Sequence, residues 1–385
     1  MAATPPGGGA SYGPTIFLSA GEPSGDLHAA PLARALRARF PDARLLGLGG
    51  WRMAAEGTEL LADVSELAVM GFAEVIHRLP YFLRLRRRVF SALQRERVDL
   101  VIPVDYPGFN LRLARRATQL SIPVLYYIAP QVWAWHASRA RSLARDTRAV
   151  AVILPFEQEF LRRAGATAQF VGHPLLDVPA PTAALEEWAA RWRLDPHRPV
   201  LALFPGSRAQ EIRRHLPLFS DAAARIIAAV PDVQPVIAAA PDTDPVIYSD
   251  RRWPLVDSGC GLLHHATAAL VKSGTTTLEL ALAGTPMVVA YRTSVLTYQI
   301  ARRVVRVPHI ALANLVAGRR LAPELVQDAA TPETLAAAVL PLLNHRSEER
   351  RAMVDGLLQV REALGSGGAA ERVAAMAAEI LEGRA

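Results

Sequence analysis

The sequence predicts an α/β protein made of two doubly wound, parallel-sheet halves. Three observations lead there. Apolar runs of four to six residues alternate with helical patterns, as strands buried on both faces of a parallel sheet do. Each run closes in a tight turn rich in Gly, Pro or Asp. The series is broken once, at Val178-Pro179-Ala180-Pro181-Thr182, and then begins again. A length of 385 residues suits two or three domains of about 100–200 residues each.

The elements follow in order. Thr15 to Ala20 is an apolar strand that ends in the loop Gly21-Glu22-Pro23-Ser24-Gly25-Asp26, and a helical pattern runs from Leu27 to Arg39. Leu45 to Leu48 is a strand closed by Gly49-Gly50, and Leu100 to Val104 one closed by Asp105-Tyr106-Pro107-Gly108. Val124 to Ile128 is closed by Ala129-Pro130, and Val150 to Leu154 by Pro155-Phe156-Glu157. After the Pro-rich linker, Pro199 to Phe204 ends in Pro205-Gly206-Ser207-Arg208. Strands at Val236–Ala240, Ala268–Lys272 and Pro286–Tyr291 follow, then helices over 332–343 and 348–383. The expected organisation is a disordered tail over 1–13 and Rossmann-like domains over 14–178 and 179–345. C-terminal helices over 346–385 would pack back on the first domain or be exchanged in a dimer. Such halves bind ligands beyond the carboxyl ends of their strands, which makes a cleft between them the expected site.

Composition narrows the function. Hydrophobic residues are 51% and charged residues 21%, which supports a buried core and excludes a disordered chain. The single cysteine, Cys260, excludes a disulfide framework and a thiolate zinc cluster. The net charge of +7 suits anionic partners: phosphorylated substrates, an anionic membrane surface or nucleic acid. Of 43 basic residues only Lys272 is a lysine, a bias in keeping with genome composition. No apolar run reaches transmembrane length, and Met1 to Gly13 lacks the features of a signal peptide, so a cytosolic, soluble or membrane-surface protein is expected.

Several strand–turn–helix junctions carry chemistry. Gly21 and Gly25 allow backbone to approach a ligand at a helix start, where Ser24 or Asp26 could equally cap the helix. Gly47-Leu48-Gly49-Gly50 has part of a dinucleotide fingerprint, but follows the second strand and lacks the third glycine. Asp105, at the carboxyl end of a buried strand, is placed for a general base or for an Asx-turn. Tyr127 to Trp135 clusters aromatics, including Trp133 and Trp135. Arg208 follows a glycine turn at a helix start, where a cation is better explained by a bound anion. Lys272-Ser273-Gly274-Thr275-Thr276-Thr277-Leu278-Glu279 is the strongest signal, hydroxyls and N–H groups converging on a helix start that can cradle a diphosphate, with a Thr276–Glu279 capping box compatible. Asp242-Thr243-Asp244 and His264-His265 lack partners at metal-ligand spacing.

In order along the chain, these motifs resemble lipid-A-disaccharide synthase, a bacterial family of inverting glycosyltransferases. The resemblance also rests on Met70-Gly71-Phe72-Ala73-Glu74-Val75, Asp105-Tyr106-Pro107-Gly108-Phe109-Asn110 and Pro130-Gln131-Val132-Trp133-Ala134-Trp135. Leu154-Pro155-Phe156-Glu157, Val171-Gly172-His173-Pro174, Asn314-Leu315 and Pro323-Glu324-Leu325-Val326-Gln327 complete it, from Thr15 to the last helix. It implies a GT-B-like fold and transfer of 2,3-diacylglucosamine from UDP to 2,3-diacylglucosamine 1-phosphate, giving a β-1',6-linked disaccharide 1-phosphate and UDP. It further implies an enzyme peripheral to the inner face of the Gram-negative inner membrane, in some members a dimer. Asp105, Arg208 and Asn314 are then the expected catalytic residues, without a metal or other cofactor and without nucleic acid. Gly21, Glu22, Ser24, Gly25, Asp26, Asn110, Gln131 and Trp133 are expected at the substrates. So are Ser207, Ser273 to Thr277, Glu279 against the uridine ribose, Glu324 and Gln327. Val69 to Phe90 combines an apolar face with arginines; Val75, Ile76, Leu79, Tyr81, Phe82 and Leu83 are expected to meet lipid or acyl chains.

Three other functions compete. Another nucleotide-sugar transferase or epimerase would share the cradle but not the Asp105–Asn110 and Pro130–Trp135 segments. A basic surface protein without turnover would cluster its arginines and need no cradle. A nicotinamide oxidoreductase would need the missing fingerprint.

Overall fold

In the computed structural model, residues 13–64, 79–135, 137–241, 243–304 and 307–383 are described. The chain forms two compact units, one of Met1–Pro174 with Ser366–Ala385, the other of Leu175–Gly365.

The first unit runs β1 (Thr15–Ala20), α1 (Pro23–Arg39), β2 (Arg44–Gly49), α2 (Trp51–Ala55), β3 (Glu59–Asp63), α3 (Leu79–Arg95), β4 (Leu100–Val104) and α4 (Pro107–Gln119). It continues with β5 (Leu125–Tyr127), α5 (Val132–Trp135), α6 (Ala137–Asp146), β6 (Ala149–Val152), α7 (Pro155–Arg163) and β7 (Ala168–Phe170). Its seven strands pair in parallel in the order β3-β2-β1-β4-β5-β6-β7. Side chains alternate across this sheet. Ile16, Leu18, Leu45, Leu100 and Ile102 face Leu32 and Leu36 of α1. Phe17, Leu46, Leu48 and Val101 face Leu85, Val89 and Leu93 of α3 and Leu113 of α4. Gly47 is explained by packing: a Cβ there would lie 1.8 Å from the Leu18 carbonyl oxygen, so β1 and β2 could not approach.

The second unit runs α8 (Leu185–Trp192), β8 (Val200–Phe204), α9 (Ala209–Ala229), β9 (Gln234–Ala239), β10 (Leu255–Asp257), α10 (Cys260–His265) and β11 (Ala268–Lys272). It continues with α11 (Thr276–Ala283), β12 (Met287–Tyr291), α12 (Val295–Val304), α13 (Leu312–Ala317), β13 (Glu324–Val326), α14 (Pro332–Leu343) and α15 (Glu348–Ala363). Its six parallel strands are ordered β10-β9-β8-β11-β12-β13. Both sheets therefore wind outward in two directions from a switch point, β1/β4 in one unit and β8/β11 in the other.

Two expectations are corrected. The helix expected over 348–383 is two helices: the chain breaks at Gly365-Ser366-Gly367-Gly368, with Gly365 and Gly368 at φ +87° and +86°. α15 stays with the second unit, so the chain leaves it at Gly365 and not at 345. Only α16 (Ala369–Leu381) returns to the first unit, where Val373, Ala377 and Ile380 join the core on the α1 face. The expected tail over 1–13 lies outside the described residues except for Gly13.

Candidate active site

Asp105 stands at the switch point of the first sheet, directly after β4. It and Tyr106 both occupy the left-handed region, at φ +48° and +50°, a strained arrangement for side chains with a Cβ. The backbone around them is held from several sides. The Asp105 N–H donates to the Tyr127 carbonyl at 3.0 Å. The Asp105 carbonyl accepts from the Tyr126 hydroxyl at 2.8 Å and from Asn110 Nδ2 at 2.7 Å. Asn110 Nδ2 also reaches the Ser19 and Val104 carbonyls, and its Oδ1 accepts from Ser19 Oγ at 2.6 Å. With its backbone so tied, Asp105 has a fixed direction for its half-buried carboxyl. Burial pushes that carboxyl up to about 6, and Glu22 nearby adds to the shift while the Tyr106 backbone N–H opposes it. A carboxylate of raised basicity that is still ionised at neutral pH suits a general base.

Gly21 follows β1 at the same switch point. A Cβ on it would fall 1.9 Å from the Tyr106 ring, so glycine is required for Tyr106 to lie over this turn. α1 starts earlier than the sequence reading, with Glu22 as its N-cap residue and Pro23 in the first turn. Glu22 and Ser24 are exposed there and Gly25 is buried. Neither Ser24 nor Asp26 caps the helix. Asp26 is 1% exposed and accepts from the N–H groups of Gly50, Arg52 and Met53. Its carboxylate therefore fixes the β2–α2 turn.

The aromatic loop after β5 is also braced. Trp133 Nε1 donates to Glu157 Oε1 at 2.9 Å, and its ring meets Phe156 edge-on. Glu157, 2% exposed, accepts the Leu154 N–H on its other oxygen. Burial pushes its carboxyl up to about 7. Only the ring of Trp133 remains available to a ligand; Gln131 beside it is exposed.

The second unit gathers its candidates at β8/β11. Gly206 (φ +130°), Ser207 and Arg208 form the turn into α9, and Arg208 is exposed at the helix start. Ser273, Gly274 and Thr275 lead into α11, so its free N–H groups and the exposed Thr275 hydroxyl lie at one helix start. Thr276 hydrogen-bonds Glu279, whose carboxyl is nonetheless raised by burial. Ser273 Oγ donates to the Ile310 carbonyl, and Thr277, fully buried, donates to the Gly274 carbonyl. These two hydroxyls shape the turn, leaving its backbone and Thr275 to a ligand. A cavity of about 500 Å³ opens at the carboxyl ends of β9 and β10, lined by Ala240, Pro241, Tyr248, Ser258, Gly259 and Glu279. Tyr248, Ser258 and Gly259 escaped the sequence reading because nothing in their local pattern marks them.

Asn314, expected to be catalytic, and Glu324 and Gln327, expected at the substrates, each hold neighbouring backbone. Asn314, 0% exposed, donates to the Ala322 carbonyl and to Glu324, and accepts from the Leu321 and Ala322 N–H groups, which exhausts its amide. Glu324 accepts from the Ile310, Ala311 and Asn314 donors and so anchors the start of α13. Gln327 clamps Thr293 through both N–H and carbonyl. A catalytic role for Asn314 would have to act through these contacts.

Val75 and Ile76 lie outside the described residues, and of Leu79 only the backbone is described. Tyr81 and Phe82, expected to meet lipid or acyl chains, are half-buried against the core and meet edge-on. Leu83 is 39% exposed, and Arg84, Arg87 and Arg88 are exposed on the same helix. No helix among the described residues is long and apolar enough to cross a membrane. Nor, among them, do three His, Cys, Asp or Glu side chains group as metal ligands.

Two doubly wound parallel sheets of this order, one with a half-buried carboxyl and one with a glycine-containing turn into a helix at its switch point, are Rossmann-like units of GT-B type. Solved structures agree on the fold. A UDP-GlcNAc 2-epimerase from Neisseria meningitidis has TM-score 0.59 at 10% identity, covering 96% of this chain and 100% of its own. The glycotransferase of kitacinnamycin has TM-score 0.61 at 20% identity, covering 96% and 99%. Sequence resolves the class further. The lipid-A-disaccharide synthetase family model matches residues 16–380. Lipid-A-disaccharide synthases of Syntrophus aciditrophicus and Myxococcus xanthus are each 42% identical, covering 95% and 96% of this chain and 98% of their own length. The chain belongs to the lipid-A-disaccharide synthetase family, and is a glycosyltransferase.

Proposed function

We propose that the chain transfers 2,3-diacylglucosamine from UDP to the 6-hydroxyl of 2,3-diacylglucosamine 1-phosphate, with Asp105 as the base. The braced, half-buried carboxyl at the end of β4 carries this reading. The acceptor oxygen attacks the anomeric carbon of the donor while Asp105 takes its proton. The bond from that carbon to the diphosphate breaks, and UDP leaves with the electron pair. One displacement inverts an α donor to a β product. Arg208 and the N–H groups at the start of α11 meet the charge growing on UDP, a task that needs no metal when such groups are preorganised. Glu279 and the adjoining cavity suit the ribose and a flat base.

The exposed Leu83, Arg84, Arg87 and Arg88 of α3 support docking on anionic lipid, the inner face of the inner membrane. The test is purified protein without added metal, given both acylated substrates in detergent, with UDP release and product mass followed. Disaccharide establishes the transfer and its metal independence together. UDP release without acceptor, or none in folded protein, rejects the reading. An epimerase would convert a UDP-sugar with no acceptor present.

A further inference from the structure

We propose that Lys272 is a positioning residue for the donor diphosphate, acting by neutralising Glu211 between the two anion-binding turns of the second unit. The inference rests on the donor reading above. In a chain whose other 42 basic residues are all Arg, the one Lys is the last residue of β11 at the switch point. Its ammonium lies 2.8 Å from Glu211 Oε1, with the two side chains 17% and 21% exposed. The Tyr291 ring lies 5.7 Å from it on another side. A Cβ on Gly274 would sit 3.8 Å from Nζ, in ordinary contact with it. A compact ammonium fits this slot; a branched, planar guanidinium asks for more room.

Glu211 is the other half of the latch. Its Oε2 accepts the Ser207 N–H at 3.2 Å. A Cβ on Gly206 would meet Glu211 Cβ at 2.6 Å and Oε2 at 2.7 Å, so the glycine lets this turn close over the carboxylate. One carboxylate therefore ties the Gly206–Arg208 turn to the end of β11. Burial alone would raise Glu211, yet Lys272, the Ser207 N–H and Arg208 together leave it lowered and thus ionised. His215 cannot share the neutralisation. Its Nδ1–H donates to the Glu211 carbonyl and its Nε2 accepts the Arg292 N–H, which fixes a neutral ring. Arg214, the remaining cation around His215, is exposed and directed to the Arg292 carbonyl.

An ionised carboxylate beside an anion cradle repels the anion unless a cation stays on it. With Lys272 in place, Arg208 and the α11 start are left to the diphosphate. The test is titration of UDP, by calorimetry, into wild type, Lys272→Met, Glu211→Gln and the double variant, each checked for folding by near-UV circular dichroism. Lys272→Met should weaken UDP at least tenfold, the effect of one uncompensated charge as far as about 12 Å away at an effective dielectric constant of about 20. Adding Glu211→Gln should restore affinity to within about threefold. The KM for the donor should follow the same pattern. Unchanged affinity in Lys272→Met, or a double variant as weak as it, overturns the proposal. Should Lys272→Met not fold, Glu211→Gln alone decides: UDP bound as tightly or more tightly supports it, and weaker binding overturns it. Wild type that fails to bind UDP overturns the donor reading and the Lys272 proposal with it; wild type that binds while Lys272→Met binds equally well overturns only the latter.

Discussion

Asn110→Ala is the most searching perturbation of the first unit, because Asn110 touches the backbone of the proposed base without being a base itself. The side chain is 0% exposed. Its Nδ2 spans the carbonyls of Ser19, Val104 and Asp105 at 3.0, 3.2 and 2.7 Å, and its Oδ1 accepts from Ser19 Oγ at 2.6 Å. Truncation removes these bonds, worth about 1 kcal/mol each for the shorter ones, and strands the buried Ser19 hydroxyl at about 1–2 kcal/mol more. The Asp105 carbonyl keeps only the Tyr126 hydroxyl. The loss of stability should therefore be about 3–4 kcal/mol, which a domain stable by about 5–15 kcal/mol survives. Asp105 and Tyr106, no longer held at φ +48° and +50°, can relax. Turnover should then fall by about a hundredfold, the lower range for a misplaced base. UDP binding, which the proposed function assigns to the second unit, should not change. Asn110→Asp should be at least as damaging at neutral pH, since it turns an oxygen toward three carbonyls. Urea unfolding followed by circular dichroism, kcat at saturating substrates and a UDP titration measure the three quantities. A stability loss under about 1 kcal/mol, or full turnover in Asn110→Ala, would refute the reasoning.

Four further outcomes are expected. Because burial raises Asp105 to about 6, its protonated form accumulates below that pH; kcat/KM should hold at neutral pH and fall about tenfold per unit on the acid side. Asp105→Asn should lower kcat by about 10²–10⁴ with little effect on UDP, and near-normal turnover removes it as base. Gly21→Ala places a methyl 1.9 Å from the Tyr106 ring; it should cost about 1–3 kcal/mol, partly relieved by Tyr106→Ala, and an unchanged melting temperature contradicts the packing. Leu83→Ser with Arg87→Ser and Arg88→Ser changes only exposed α3 positions. It should reduce sedimentation with phosphatidylglycerol vesicles at low salt, and undiminished binding argues against that face.

What the sequence shows of this fold follows the burial of each strand. The central strands β1, β4, β8 and β11 are buried almost throughout and read as unbroken apolar runs. The four strands that escaped the reading, β3, β7, β10 and β13, are the two edges of each sheet. They are short and half-exposed, so they carry no such run. The helix expected over 348–383 conceals its break because three glycines and a serine interrupt an otherwise continuous helical pattern.

The site divides along a similar line. Motif residues on the turns at β1/β4 and β8/β11 were legible because strand, turn and helix follow one another locally. Whether a polar side chain there faces a ligand or the backbone was not, since Asn110, Asn314, Glu324 and Gln327 are spent on groups brought near only by the fold. Asp26 illustrates the same ambiguity: its partners begin at Gly50, in the next strand's turn. Lys272 is legible as the only lysine and as the first residue of the strongest motif, but nothing local to it names a partner. Its meaning needed Glu211, which belongs to the opposite turn and joins it only when β8 and β11 lie side by side. Electrostatic design of this kind is a relation between strands, and a linear pattern reports strands one at a time.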